Sequence, residues 1–186
     1  MKNIIAAVLV LGVCGTSVFA GEWKKDGSVL IGYGMPGGDV GKLVDGGVAV
    51  GLDYDGYKIN DMFSIGAGFI YTSAKKTASS VDYTISTWGL SPYAKYSKEV
   101  DLAGKKCNAY GLFGIGFYSV GQKLEYPAGL TAYNIDATDN KLGFNLGAGL
   151  MYPIADKMQL GLDLRYHIVA SDLSYFIPAV KFTYSF

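Results

Sequence analysis

Cysteine, histidine and proline are scarce in this chain: two, one and five residues among 186. One of the two cysteines, Cys14, falls in the first twenty residues, so a chain trimmed there keeps Cys107 alone and can form no internal disulfide. One histidine and one remaining cysteine leave no set of ligands for a metal site. Neither sign of charge is in excess, with 16 basic and 16 acidic residues, and that balance excludes the basic surface expected of a nucleic-acid binder. Long apolar runs are also missing after the first twenty residues. A helix crossing hydrocarbon needs about 20 such residues, so any passage through a membrane has to use strands, which cross lipid only as a closed barrel.

The first segment reads as an export signal. Lys2 is followed by an apolar run from Ile4 to Val13 and by small residues ending at Val18-Phe19-Ala20, which fits cleavage before Gly21. Gly12, Gly15, Thr16 and Ser17 interrupt the run too early for an anchor. Leu11-Gly12-Val13-Cys14 has the outline of a lipoprotein acylation site, but bulky Val13 is a poor residue before such a cysteine. The reading divides the chain into a signal peptide, 1–20, and one domain, 21–186.

What the chain has in quantity is glycine and aromatic residues: 26 Gly, 15 Tyr and 9 Phe. They are arranged with a period of two, the signature of strands with two unlike faces. Met158, Leu160, Leu162, Leu164, Tyr166 and Ile168 alternate with Gln159, Gly161, Asp163, Arg165 and His167. Phe176, Pro178, Val180, Phe182, Tyr184 and Phe186 alternate with Ile177, Ala179, Lys181, Thr183 and Ser185, and only Ile177 breaks the contrast. The same pattern runs through Val29 to Met35, Val48 to Tyr54, Phe63 to Tyr71 and Leu142 to Tyr152. It is less clean from Asp82 to Tyr96 and from Asn108 to Tyr118. The count is eight strands, and the fold class is all-β: an eight-stranded antiparallel transmembrane barrel.

Alternation by itself does not separate a barrel greasy outside from a soluble one greasy inside. Glycine settles the direction, because Gly66, Gly68, Gly143, Gly147, Gly149 and Gly161 all share the polar face. A solvated exterior would carry longer polar side chains there; a crowded interior favours none. Tyr54, Tyr71, Tyr96, Tyr152 and Tyr184 fall at strand ends, as aromatic girdles do. A one-residue slip would turn Arg165 and Lys181 towards lipid, at a cost of roughly 2 to 4 kcal/mol each near mid-membrane.

An even strand number leaves both termini on one side, the periplasm for an exported chain. The outer connections are then about Pro36 to Asp45, Ser73 to Val81, Val120 to Asn140 and Val169 to Ser174. The inner ones are Asp55 to Asp61, Ser97 to Lys106 and Pro153 to Lys157. Lys75 and Lys76 suit a mobile outer loop, and residues 120–140 form the segment long enough to carry binding residues.

With the signal segment, the Gly/aromatic alternation, Leu160-Gly161-Leu162-Asp163-Leu164-Arg165-Tyr166 and the closing Val180-Lys181-Phe182-Thr183-Tyr184-Ser185-Phe186 in view, the chain resembles the OmpA/OmpX-like group of small outer-membrane barrels. The resemblance implies a bacterial outer-membrane location, contact with outer-membrane lipids and lipopolysaccharide, and an assembly signal in Phe182, Tyr184 and Phe186 read by the barrel-assembly machinery. The expectation is a barrel without the peptidoglycan-binding domain of full-length OmpA.

Candidate chemistry is sparse. Asp53, Lys95, Asp163, Arg165 and Lys181 are expected to face a lumen just wide enough for side chains to fill. Their expected role is structural, with Asp163 on the seventh strand paired to Lys181 on the eighth. The rival role is a narrow ion pathway. His167, Ser171 and Asp172 raise a lipid hydrolase for comparison, yet parity turns His167 inward and the tight His/Ser spacing of lipid A deacylases is absent. A water-satisfied histidine at the rim is the simpler reading. Pro92 and Pro178 lack a ladder donor and mark either bulges, strand ends or a lateral opening for a lipophile. Gly114-Ile115-Gly116 lacks the strand-to-helix context of a nucleotide loop. The expectation is a monomeric, non-enzymatic membrane protein without catalytic, cofactor or metal residues, with residues 120–140 as a contact surface for a surface ligand. A lipid-modifying enzyme and a small channel or lipophile carrier are the alternatives.

Overall fold

The computed structural model describes residues 22–78, 80–102, 104–127 and 133–186. The expected signal peptide, 1–20, and its cleavage site lie outside them. Eight strands follow in chain order: β1 Glu22–Gly37, β2 Gly47–Lys58, β3 Phe63–Ala78, β4 Val81–Leu102, β5 Lys105–Glu125, β6 Ile135–Ala155, β7 Met158–Ala170 and β8 Leu173–Ser185. Each pairs antiparallel with its sequence neighbours, and β1 pairs with β8 to close the barrel. Closure leaves no edge strand with unpaired backbone groups. A single helical turn, α1 Gly38–Gly41, lies between β1 and β2.

The two faces are those the alternation implies. Val29, Ile31, Leu52, Phe69, Leu90, Phe113, Leu146, Leu164 and Val180 are exposed on the outside. Such a surface is unfavourable in water and natural in hydrocarbon. Inward side chains pack closely at several positions. Tyrosine rings lie where the inward glycines have no side chain: a Cβ on Gly89 would stand 2.4 Å from the Tyr118 ring, one on Gly149 2.5 Å from the Tyr110 ring and one on Gly66 2.6 Å from Tyr93. Glycine on the inner face therefore makes room for a ring from a neighbouring strand.

Three connections are much shorter than the sequence implies. The strands continue through most of Ser73 to Val81, Ser97 to Lys106 and Val120 to Asn140: β3 reaches Ala78 and β4 begins at Val81, β4 reaches Leu102 and β5 begins at Lys105, and β5 reaches Glu125 and β6 begins at Ile135. A crossing strand needs about 9 to 11 residues, whereas β4 has 22 and β5 and β6 have 21 each. The excess forms paired ribbon beyond the barrel. Ribbon solvated on both faces has no apolar alternation to announce it, yet its backbone ladder persists, as in Lys75↔Thr84↔Lys123↔Asp136.

Asp55 is a further departure: it belongs to β2 rather than to a turn, beside a register shift between Asp55 and Tyr57. Pro92 and Pro178 mark neither bulges nor strand ends. The β4–β5 and β8–β1 ladders are interrupted beside them and resume in the same register.

Candidate functional site

The interior has two tiers. The tier nearer the termini is charged. Asp53 on β2 accepts from Arg165 Nη1 at 3.0 Å and from Lys181 Nζ at 2.8 Å. Arg165 in turn donates from Nε to Asp163 Oδ1 at 2.9 Å and from Nη2 to Asp163 Oδ2 at 3.1 Å. The Tyr110 hydroxyl donates to Asp163, and the Lys181 ammonium stands 4.8 Å from the Tyr110 ring centroid. Beside this group, Lys95 pairs with Asp55, which also accepts from the Tyr93 hydroxyl at 2.8 Å.

Asp53, Asp55 and Asp163 thus face Lys95, Arg165 and Lys181, three charges of each sign, all buried. Burial of ions is costly, and only close pairing with further hydrogen bonds offsets it. Arg165 is the hub because its planar fork reaches two carboxylates at once.

The expected Asp163–Lys181 pair is not the principal contact. Their separation is 3.9 Å, and the nearest carboxylate to Lys181 is Asp53. The register explains this: Lys181 lies opposite Gly161 and Asp163 opposite Ala179, so the two are offset by one inward position. Arg165, two residues along the same face, reaches Asp163 first. Asp55, Tyr93 and Tyr110 were missed as members. Parity could have found the tyrosines, since Tyr93 shares the face of Lys95 and Tyr110 the face opposite Phe113.

The tier away from the termini is apolar. Leu30, Ile70, Ile85, Val120, Val169, Leu173, Tyr175 and Ile177 form one buried cluster, joined by Val40 and Val44 from the β1–β2 connection. The Val40 amide donates to the Asp172 carbonyl at 3.2 Å, which ties that connection to the β7–β8 turn. Ile177, the odd residue in its strand pattern, is core.

His167 sits between the tiers. It is 2 % exposed, and its Nδ1 lies 2.9 Å from the Tyr118 hydroxyl. It is therefore buried inside the barrel and bonded through Nδ1 to the protein, rather than placed at the rim, and its Nε2 has no protein partner among the described residues. Ser171 and Asp172 are exposed in the turn after β7, so no Ser/His/Asp arrangement forms. Among the described residues no group of three or more histidine, cysteine or acidic residues is placed to hold a metal ion. Cys107 is buried and free.

At the end remote from the termini, the described lysines are all neutralised by neighbours: Lys42 by Asp39, Lys75 by Asp82, Lys76 by Asp45, Lys123 by Glu125 and Lys141 by Asp139. The β5–β6 ribbon rises here. Its tip carries Tyr126 and Tyr133 edge to face, with centroids 6.1 Å apart and Tyr133 66 % exposed. At the opposite end Phe186 contacts Tyr184 edge to face at 5.0 Å, and its amide donates to the Lys25 carbonyl at 3.0 Å. Phe182 is exposed on the outer wall.

The family described as "Outer membrane protein beta-barrel domain" matches residues 6–186. Solved structures share the fold. NspA, the Neisserial surface protein A, has a TM-score of 0.58 at 13% identity, covering 90% of this chain and 99% of that one. Ail of Yersinia pestis, solved with the heparin analogue sucrose octasulfate, has a TM-score of 0.56 at 16% identity, covering 88% and 99%. The N-terminal β-barrel domain of Pseudomonas aeruginosa OprF has a TM-score of 0.51 at 12% identity, covering 88% and 99%. No curated protein sequence matches. A closed ring of eight strands with a lipid-compatible exterior, matched along nearly its whole length by that family, places the chain in the outer membrane protein β-barrel family, an integral component of the bacterial outer membrane.

Proposed function

We propose that the protein is a non-conducting, non-enzymatic barrel that contributes to the outer membrane's structure and presents the β5–β6 ribbon as a contact surface outside the cell. The observation that supports this reading is the side-chain packing in the interior. A neutral network around Arg165 occupies one half, and the apolar cluster under Val40 and Val44 occupies the other. A hydrated ion finds no continuous polar path through packed Ile85, Tyr175 and Ile177, which argues against the channel. The separation of His167 from Ser171 and Asp172 argues against a hydrolase.

In this reading residues 1–20 are removed on export, both termini face the periplasm, and Phe182, Tyr184 and Phe186 form the signal for the barrel-assembly machinery. The barrel is a monomer among outer-membrane lipids and lipopolysaccharide. Ail is known with a highly sulfated ligand bound. Here the paired lysines weaken attraction for such a polyanion, so the surface ligand we infer carries no high negative charge.

The experiment is trypsin treatment of intact cells carrying the protein. Cleavage within the ribbon at Lys123 or Lys141, with the termini protected until the cells are opened, is the expected result. Cleavage of the termini alone would overturn the orientation and with it the contact surface. Increased detergent sensitivity of cells lacking the protein tests the structural role.

A further inference from the structure

The outer wall is not uniformly bulky. Along one row of ladder partners the residues facing out are Tyr96, Gly111, Ala148 and Leu164, on β4, β5, β6 and β7. The adjoining row carries Phe113 and Leu146 on the two middle strands. Gly111 and Ala148 therefore leave a notch between larger side chains, an open groove of about 490 Å³ on the lipid-facing surface. Gly111 differs in kind from the inward glycines. A Cβ there would have only the Gly147 carbonyl within 4 Å, at 3.8 Å, so no ring of the protein fills the space.

Cationic groups stand where the groove approaches the end that carries the termini. Lys98 lies opposite Ala109, one outward position beyond the Tyr96–Gly111 pair, roughly 7 Å along the strand. Lys105 lies on the same face of the β4–β5 hairpin, its ammonium 5.2 Å from the Tyr152 ring centroid. Neither has a carboxylate within salt-bridge distance among the described residues. This contrasts with the lysines at the far end, each of which is paired. An apolar groove continuous with the lipid interface, with uncompensated cations at one end beside two tyrosines, matches a molecule with a hydrocarbon tail and an anionic head.

We propose that this groove holds one acyl chain of an anionic glycerophospholipid, with its phosphate at Lys98 and Lys105. The site rests on the reading that the end with the termini faces the periplasm, where the leaflet is built of such lipids. Lysine near an anionic headgroup favours association by about fivefold per residue. Gly111 and Ala148 supply the shape, and the lysines supply the preference for charge.

The test refolds the full mature barrel into phosphatidylcholine vesicles doped with phosphatidylglycerol, extracts it in mild detergent and identifies the retained lipid by native mass spectrometry. Wild type is expected to keep one lipid, with phosphatidylglycerol enriched several-fold over its share of the vesicle. Lys98→Gln with Lys105→Gln should keep a lipid and lose that enrichment. Gly111→Phe, or Ala148→Leu should the first fail to fold, should lose the lipid. Retention in the vesicle's own proportions by wild type, unchanged phosphatidylglycerol enrichment in the lysine double variant, or unchanged lipid retention in the Gly111 or Ala148 variant overturns the proposal. Displacement of phosphatidylglycerol by added lipid A would also overturn it, since the groove would then belong to the opposite leaflet. These vesicles have the same composition on both sides, so failure here is distinct from failure of the orientation in the protease experiment.

Discussion

Arg165 and Asp53 stand 112 positions apart in the chain and meet across the barrel interior, Arg165 Nη1 donating to Asp53 Oδ1 at 3.0 Å. Through this contact β7 is tied to β2, three strands away around the ring, and the pair acts as a brace across the interior. Asp53→Ala leaves Arg165 with one carboxylate and Lys181 with none closer than 3.9 Å. We expect a loss of about 3 to 5 kcal/mol, read from urea unfolding of the refolded barrel. Asp53→Leu with Arg165→Met should recover part of it. A wild-type midpoint for Asp53→Ala would show that the brace carries no stability.

The tyrosine slots predict a contrast among glycines. Gly89→Ala drives a methyl to within 2.4 Å of the Tyr118 ring, whereas at Gly121 the nearest atom, the Ser86 carbonyl oxygen, is 3.7 Å away. Overpacking at the first should cost about 1 to 3 kcal/mol. The second should stay within about 0.5 kcal/mol of wild type. Equal effects in the same unfolding assay would mean the rings have room to move.

A third contrast sets inside against outside. Ile85 is fully buried in the apolar tier, while Ile115 is 52 % exposed on the outer wall. Ile85→Ala should cost about 2 to 5 kcal/mol through the cavity it leaves. Ile115→Ala, whose side chain has lipid or detergent as neighbour, should cost clearly less. The reverse order would place the core on the wrong face.

Asp61 lies in the turn between β2 and β3, where a hydrogen bond from Lys58 and its charge hold the carboxyl below the ordinary aspartate range. A depressed folded-state value stabilises above the unfolded-state value, and the effect is lost as pH falls through the folded one. The pair is solvent-exposed, so the effect is small. Side-chain NMR titration should find Asp61 titrating below its usual range in wild type and returning to it in Lys58→Gln. No difference between the two would remove the contact in solution.

The fold was legible because a membrane barrel reverses the usual arrangement and writes it with a period of two. Charges inside and apolar residues outside make a single-residue slip expensive, so β7 and β8 could be read directly. The polar extensions of β4, β5 and β6 were not legible, since ribbon wet on both faces carries no such contrast. Asp55-Gly56 resembles turn chemistry, yet the strand runs on through it, and parity carries Asp55 onto the inward face of Asp53, where it meets Lys95. Parity placed Asp163, Arg165, His167 and Lys181 on inward faces, but it could not assign partners. Those depend on strand register and on side-chain reach, which gave Lys181 to Asp53 and His167 to Tyr118.

The central claim is that the interior is filled from end to end, and single-channel recording in planar bilayers tests it most directly. The account predicts no steady conductance above baseline from the folded barrel across a wide voltage range. Uniform, long-lived conductance steps from the same folded protein would contradict it and would make the Arg165 network the lining of a pore.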